Sequence, residues 1–255
     1  MRIQLLITSI ILFIASAATL AAADTVEFSA DLVQTIPQQG EMHGRIYVGK
    51  DQLRTEITVD DQAIVQIIDI KNQAAYMLDS RSSTYIKRQA GAGDLAAGGG
   101  QARDANPCAG MQHIKCELLG VEKVNGRPAR KWEIENTIQE QSNRMLVWID
   151  EERKIPLQQV TPDGAMMILR QMGRETINGR DTEKWEMTVT GIDGKSSKAY
   201  QWYDPVLKMN VREEQPEGYR RELGNIQIGT QPPSLFTIPP DYSELSPQPY
   251  YDSDQ

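Results

Sequence analysis

Two cysteines and one histidine are the residues of this sequence whose types and spacing most suggest chemistry. Cys108 and Cys116 have seven residues between them, among which is His113. Thiolate and imidazole groups bind zinc, but zinc sites usually take four ligands, and this spacing matches none of the common patterns. The N-terminal residues resemble an export signal, and an even pair of cysteines in an oxidising compartment is typical of a disulfide. We therefore predict a Cys108–Cys116 disulfide, with no metal site and no cofactor.

Catalytic motifs are absent from the sequence. It contains two histidines, His43 and His113, and no nucleophile-elbow, zinc-protease, calcium-loop or phosphate-loop pattern. Ser196 and Ser197 have no base beside them in sequence, and acidic pairs such as Glu151-Glu152 fall at predicted strand ends. We therefore predict that the protein is not an enzyme. A hydrolase whose groups converge from distant strands is the catalytic alternative.

One stretch of the chain occurs twice. Residues 120–134 return as residues 173–187, with eight of fifteen positions identical. The correspondence continues further along the chain, where Trp148-Ile149-Asp150 matches Trp202-Tyr203-Asp204. A duplicated unit of about fifty residues predicts an internal structural repeat. We place its two copies at residues 119–171 and 172–225.

Each copy contains an Asn-Gly pair between alternating apolar runs, the strongest short-range signal for a type I′ hairpin. Counting outward from the turns predicts Leu119 opposite Trp132 and Met172 opposite Trp185 on an apolar face. The lysine before each of these tryptophans falls on the other, charged face. The apolar face is either a filled core or the wall of a cavity for acyl chains or an apolar peptide. The cavity interpretation predicts these ligand-binding residues: Trp132, Trp148, Met172, Trp185 and Trp202.

The rest of the chain also indicates strands. Roughly a dozen short segments alternate in polarity between Pro, Asp and Gly turns, and no long 3.6-residue period follows residue 24. We predict a mainly β fold, a single large curved antiparallel sheet built partly from the duplicated unit, with few helices. One such domain would span residues 24–245.

Residues 1–23 have the charged, apolar and small-residue regions of a secretory signal peptide, with cleavage near Ala23. A membrane anchor is the competing interpretation, but the apolar run is short. We predict a periplasmic protein without a transmembrane anchor in its mature chain. The formal net charge of −8 disfavours nucleic acid and anionic membranes as partners.

Two segments have compositions that disfavour packed structure. The Gly/Ala-rich loop 89–105 is either a solvated linker or a flap over the mouth of the sheet. The polar tail 246–255 contains two prolines and is predicted to be disordered.

Several motifs resemble those of a known superfamily. They are Phe28-Ser-Ala-Asp31, Gly44-Arg-Ile-Tyr47, Leu53-Arg-Thr-Glu56, Tyr76-Met-Leu-Asp79 and the closing Leu235-Phe-Thr-Ile-Pro-Pro-Asp-Tyr242. Together with the Trp-x-Asp strands, they resemble the periplasmic LolA-like superfamily of outer-membrane lipoprotein carriers. The repeated Gly-x-Glu-x-Val-Asn-Gly-Arg-x-x-x-Lys-Trp motif is similar to that of its uncharacterised DUF4412 branch.

The resemblance implies a half-barrel of antiparallel strands whose concave apolar side binds acyl groups. In the carriers, a strand arginine near the position of Arg54 helps to hold a helical lid closed, so Arg54 joins the predicted ligand-binding residues. The sequence departs from the carriers because it lacks a clear N-terminal or lid helix and adds the Trp repeat and the cysteine pair. Its predicted function is non-catalytic binding of a lipid, acyl chain or lipoprotein; the alternative is an envelope protein-interaction or sensor module.

Overall fold

The structure is a computed structural model that describes residues 26–59, 62–90, 106–108, 114–138 and 141–245. The predicted signal peptide, the predicted tail, most of the Gly/Ala-rich loop and His113 lie outside these ranges.

The described residues form sixteen strands and two short 3-10 turns, and they contain no α-helix. The strands are β1 Phe28–Ile36, β2 Gly40–Val48, β3 Gln52–Val59, β4 Gln62–Asp69, β5 Ala74–Asp79, β6 Thr84–Gln89, β7 Ile114–Val124, β8 Arg127–Ile138, β9 Gln141–Asp150, β10 Pro156–Val160, β11 Met166–Ile177, β12 Arg180–Thr190, β13 Ser196–Asp204, β14 Met209–Glu214, β15 Arg220–Ile228 and β16 Ser243–Glu244. The 3-10 turns are Pro216–Gly218 and Pro233–Phe236.

All sixteen strands belong to one open sheet, which confirms the predicted fold class. Strands β1 to β6 form one antiparallel meander and strands β7 to β15 form a second. The two meanders join where β1 pairs with β15. The edges of the sheet are β7 and the two-residue β16, which pairs with β6 in parallel.

The two Asn-Gly pairs form the predicted hairpins. Asn125 and Gly126 both have positive φ, at 50° and 82°, and Asn178 and Gly179 repeat this at 49° and 77°. A type I′ turn requires positive φ at both central positions, and these residues adopt it at low cost.

The register above each turn differs from the prediction by one residue. Trp132 faces Leu118, while Lys131 faces Gly120, so Leu119 is an extra residue in a β-bulge. Glycine permits this bulge because Gly120 has a φ of 147°. The predicted pairs Leu119–Trp132 and Met172–Trp185 are therefore wrong. The second copy repeats the bulge with Gln171 opposite Trp185, Met172 as the extra residue and Gly173 at φ 149°.

Each repeat hairpin also packs over later strands of the second meander. The Asn125 side chain donates to the carbonyl of Leu169 at 3.3 Å, and the Asn178 side chain donates to the carbonyl of Leu223 at 2.9 Å. Val124, beside the first turn, packs in a buried cluster with residues of β10, β11 and β12. The second meander thus covers part of its own apolar surface with its own hairpin tips.

One face of the first meander is covered by the C-terminal segment. Leu235, Phe236 and Tyr242 pack against a cluster of Val65, Ile67 and Leu78. The chain approaches Gly49 so closely that a Cβ there would lie 2.9 Å from the Phe236 ring. The covered side of β2 to β6 is called the covered face below.

The predicted disulfide is confirmed. Cys108 and Cys116 are bonded, with their Cα atoms 5.9 Å apart, and the bond ties the segment before β7 to β7 itself. Closing so short a loop stabilises the folded chain by roughly 2 to 3 kcal/mol on the chain-entropy estimate.

The hairpin glycines give a direct test of the turns. We expect Gly126→Val and Gly179→Val each to lower the free energy of unfolding by about 1 to 2 kcal/mol, because a β-branched residue is disfavoured at positive φ. Gly229→Val is the control, since Gly229 does not have positive φ and a Cβ there meets open space. Denaturant unfolding measures the difference, and turn variants as stable as the control would contradict the type I′ assignment.

Candidate functional site

The four tryptophans predicted to bind ligand lie in the core. Their exposed fractions are 7% for Trp132, 6% for Trp148, 1% for Trp185 and 3% for Trp202. Trp148 and Trp185 share one buried cluster, whereas Trp132 and Trp202 belong to two others. The structure therefore does not bring the four rings together around one surface.

Trp148 is held by a carboxylate and an ammonium group. Its indole Nε1 donates to Glu122 at 2.8 Å, and Lys131 pairs with the same carboxylate at 3.1 Å. The Lys131 ammonium also lies 4.8 Å from the centre of the Trp148 ring, within cation–π range. The hydrogen bonds from Trp148 and Lys131 lower the pKa of Glu122.

The second copy builds the same triad from the matching residues. Trp202 Nε1 donates to Glu175 at 2.7 Å, and Lys184 pairs with Glu175 at 2.8 Å. The Lys184 ammonium lies 4.9 Å from the centre of the Trp202 ring. Hydrogen bonds from Lys184 and Trp202 lower the pKa of Glu175. In each copy, the lysine of the Lys-Trp-Glu motif therefore forms a triad with a glutamate of the preceding strand and a tryptophan of the following strand.

The tryptophans of the Lys-Trp-Glu motif itself differ from those of the triads. The indole N–H groups of Trp132 and Trp185 are buried and have no hydrogen-bond partner in the part of the chain that the structure describes. A buried donor without a partner costs free energy. These two rings therefore contribute through packing, while Trp148 and Trp202 also contribute polar contacts.

A buried aspartate ends each of the strands β9 and β13. Asp150 is 1% exposed and accepts hydrogen bonds from Arg127 at 2.5 Å and from the backbone N–H of Arg153 at 2.6 Å. Burial alone would raise the pKa of Asp150, but these hydrogen bonds outweigh it, so the pKa lies below its ordinary value. Asp204 has the matching position and accepts from Arg180. Each aspartate thus joins a hairpin arginine to the turn that follows its strand.

Met172 is the most exposed of the predicted ligand-binding residues. It is 47% exposed because it occupies the bulge. It lines an open recess of about 400 Å³ beneath the first hairpin tip, together with Asn125, Arg127, Leu169, Arg170, Gln171 and Gly173. A matching recess lies beneath the second hairpin tip and is lined by Asn178, Gly179, Arg180, Gly224, Asn225 and Ile226.

Arg54 lies on the covered face. Its Nη1 donates to the carbonyl of Leu235 at 2.9 Å, and its Nε pairs with Glu56 at 2.6 Å. Arg54 is paired across the strands with Tyr47 and Ile67, whose side chains belong to that face. In this structure, Arg54 therefore holds the C-terminal segment against the sheet.

The opposite face of the first meander carries apolar side chains that the sequence did not single out. Ile64, Met77 and Ile86 are 46%, 49% and 43% exposed. Met77 lies directly opposite Ile86, and the partly buried Ile57 lies directly opposite Ile64. Ile64 lies directly opposite Asp79, and Met77 is two residues before Asp79 on the same strand, so Ile64 and Met77 are diagonal neighbours. These four residues are called the open apolar patch.

The open apolar patch continues a buried core. Along β3 and β4, the residues that alternate onto the same side include Leu53 and Ile68, which face each other and are each 2% exposed. Both belong to the largest buried cluster, which extends to β1 and to β13–β15 through Phe28, Trp202 and Leu223. The Thr55–Gln66 pair separates Leu53 and Ile68 from Ile57 and Ile64 on these two strands, but Ile57 itself packs against the buried cluster, so the patch adjoins the core.

The described residues lack both a metal-binding cluster and a membrane-spanning helix. They contain no group of three or more His, Cys, Asp or Glu side chains able to hold a metal ion. They also contain no helix of sufficient length and apolar character to cross a membrane.

Comparison with known proteins gives similarity at the level of structure. No protein-family model matches the sequence, and no curated protein matches it, so its place among the DUF4412 proteins stays a prediction. A LolA superfamily protein from Nitrosomonas europaea aligns with 84% of this chain and 90% of its own, at 12% identity and a TM-score of 0.39. A DUF1329 family protein from Desulfovibrio piger gives the same coverage and identity with a TM-score of 0.38.

A third similar structure is a putative outer membrane lipoprotein-sorting protein domain from Vibrio parahaemolyticus. It aligns with 84% of this chain and 90% of its own, at 10% identity and a TM-score of 0.35. These TM-scores lie below 0.5, so the similarity carries no conclusion about the function of this chain.

The two kinds of tryptophan predict different responses to the same substitution. We expect Trp148→Phe and Trp202→Phe to lower the free energy of unfolding by about 1 to 3 kcal/mol more than Trp132→Phe and Trp185→Phe. The first pair loses a hydrogen bond to a carboxylate, whereas the second pair loses a donor that has no partner. Denaturant unfolding of the four variants checks this, and equal losses in all four would show that the triads add no stability.

Acid titration tests the buried aspartate. Since the pKa of Asp150 is lowered on folding, its stabilising contribution is present above its unfolded value and is lost as pH falls through its folded value. We expect Asp150→Asn to be less stable than wild type at neutral pH and less sensitive to pH between about 5 and 2. Asp193→Asn, at an exposed hairpin, is the control. Parallel stability–pH curves for wild type and Asp150→Asn would contradict the assignment.

Proposed function

We propose that this chain is an exported, periplasmic binding protein for an apolar ligand, namely a lipid, an acyl chain or a lipoprotein, and that it is not an enzyme. The observation that carries the proposal is the open apolar patch. Four apolar side chains on β3, β4, β5 and β6 are cross-strand or diagonal neighbours, and three of them are more than two-fifths exposed. A contiguous apolar surface beside a core is the kind of surface that an acyl chain or a partner protein covers.

The energetic gain from covering the patch is of useful size. Fully burying a side chain such as Ile or Met contributes roughly 1.5 to 3 kcal/mol, so burying the exposed parts of three contributes roughly 2 to 4 kcal/mol. An acyl chain on the patch would also extend the buried cluster that begins at Leu53 and Ile68. The acyl chain would therefore lie across strands β3 to β6.

The residues predicted from sequence have different parts in this proposal. Met172 is accessible at its recess, and Arg54 would act by keeping the C-terminal segment on the covered face. The four tryptophans, each 7% exposed or less, would contact a ligand only after movement of the residues that cover them. The patch is therefore the proposed first point of contact.

A second candidate function, binding of an envelope protein, is favoured by the edge strand β7. Among the described residues, no strand pairs with its outer side. Leu118, Leu119 and Val121 are 47%, 47% and 58% exposed along it. An edge strand with apolar side chains can accept a strand from another protein.

Substitution on the patch tests the lipid-binding proposal. We expect a fluorescent fatty-acid probe to bind the wild-type protein, and Met77→Lys and Ile86→Lys each to weaken binding by roughly tenfold or more, since a charge would be placed against the acyl chain. Ile192→Lys is the matched control, because Ile192 is 73% exposed in the β12–β13 hairpin, outside the patch. Equal affinity in the patch variants and the control would place the probe elsewhere.

Native mass spectrometry separates the two candidate functions. Protein purified from the periplasm should carry co-purifying lipid if the patch binds lipid. Bare protein that also fails to bind the probe would exclude the lipid proposal and favour the interaction module.

A further inference from the structure

The two copies of the repeat differ in how their hairpin arginine is paired. In the first copy, Arg127 uses its Nε and Nη2 on the two oxygens of Asp150. Its outer edge is also occupied, because Nη2 donates to Glu152 at 3.1 Å and Nη1 approaches the side-chain oxygen of Gln171 at 3.5 Å. All three guanidinium nitrogens of Arg127 therefore have acceptors within the chain.

In the second copy, only one guanidinium nitrogen has an acceptor among the described residues. Arg180 donates through Nε to Asp204, and its Nη1 and Nη2 make no hydrogen bond within the described ranges of the chain. The sequence explains the difference, since Val206 stands at the position that matches Glu152, and Asn225 stands at the position that matches Gln171. Asn225 accepts no hydrogen bond from Arg180 among the described residues, and its side-chain nitrogen donates to Asp31 at 2.7 Å.

The unoccupied edge of Arg180 belongs to an accessible recess. The Arg180 side chain is 21% exposed and lines the recess of about 540 Å³ beneath the second hairpin tip. The recess is bordered by Gly179 and Gly224, which carry no side chains, and by Ile226. Val206 has no carboxylate and its side chain is 55% exposed, so this position supplies no acceptor to Arg180. In the first copy, the Glu152 carboxylate at the matching position accepts from Arg127.

We infer that Arg180 is a binding site for a carboxylate or phosphate group of a ligand, which would take the place that the Glu152 carboxylate holds beside Arg127. Both groups present two acceptor oxygens that fit the parallel N–H groups at one edge of a guanidinium. The first copy shows the occupied form of the site built within the chain, and the second shows the same site without its internal anion. This inference is independent of the apolar patch.

Exchange of one residue between the copies tests the inference. Val206→Glu should supply the internal carboxylate to Arg180 and close the site, while Glu152→Val should open the outer edge of Arg127. The matching turns both place a lysine at similar φ, 57° for Lys154 and 56° for Lys208, so each backbone accommodates the exchanged residue. Arg180→Gln is the third variant, which removes the guanidinium.

The measurement is the backbone amide NMR spectrum during titration with sodium acetate and, separately, inorganic phosphate, with sodium chloride as the control for ionic strength. We expect saturable shifts of Gly179, Arg180 and Gly224 in wild type with at least one anion, and the anion that saturates at lower concentration identifies the group. The shifts should be lost in Val206→Glu and in Arg180→Gln. Glu152→Val should gain shifts at Arg127 and Gln171.

Three results would overturn the inference. The first is that neither acetate nor phosphate shifts these amides more than chloride does. The second is that folded Val206→Glu responds as wild type does. The third is that folded Arg180→Gln keeps the saturable response, which would show that the guanidinium takes no part in binding.

Discussion

The described part of this chain is a single sheet, and that constraint governs the rest of the structure. A sheet with apolar residues has two faces, and no α-helix in the described residues is present to cover either of them. The second meander covers part of its apolar surface with its own hairpin tips, which fold over later strands of the same meander. One face of the first meander is covered by the C-terminal segment, which Arg54 holds through the carbonyl of Leu235.

The remaining face of the first meander is only partly covered, and this asymmetry connects fold to function. Near β1 its apolar residues are fully buried, as Phe28 and Ala30 show. Toward β6, the same side of the sheet ends in the open apolar patch. The duplicated half of the chain has a different role, because its Trp–Glu–Lys triads and Arg–Asp pairs join its hairpins to neighbouring strands and turns. In this account, the repeat supports the sheet and the first meander presents the proposed ligand-binding surface.

The sequence predicts much of the sheet because its signals are local. The Asn-Gly turns determine the pairing of the residues nearest to them, and the cysteine pair forms the predicted disulfide. The bulge at Met172 was missed because an apolar residue suits either face, although the glycine that follows it is a signal that could have been used. The patch was missed for another reason: Ile64, Met77 and Ile86 lie on three strands and become neighbours only through pairing.

The most direct test of this account is methyl NMR of the protein with a bound fatty acid. Labelled Ile and Met methyl groups would be observed for contacts with the acyl chain. The account predicts nuclear Overhauser effects from the acyl chain to the methyl groups of Ile64, Met77 and Ile86. Contacts confined to other methyl groups, with those three unaffected at saturation, would contradict it.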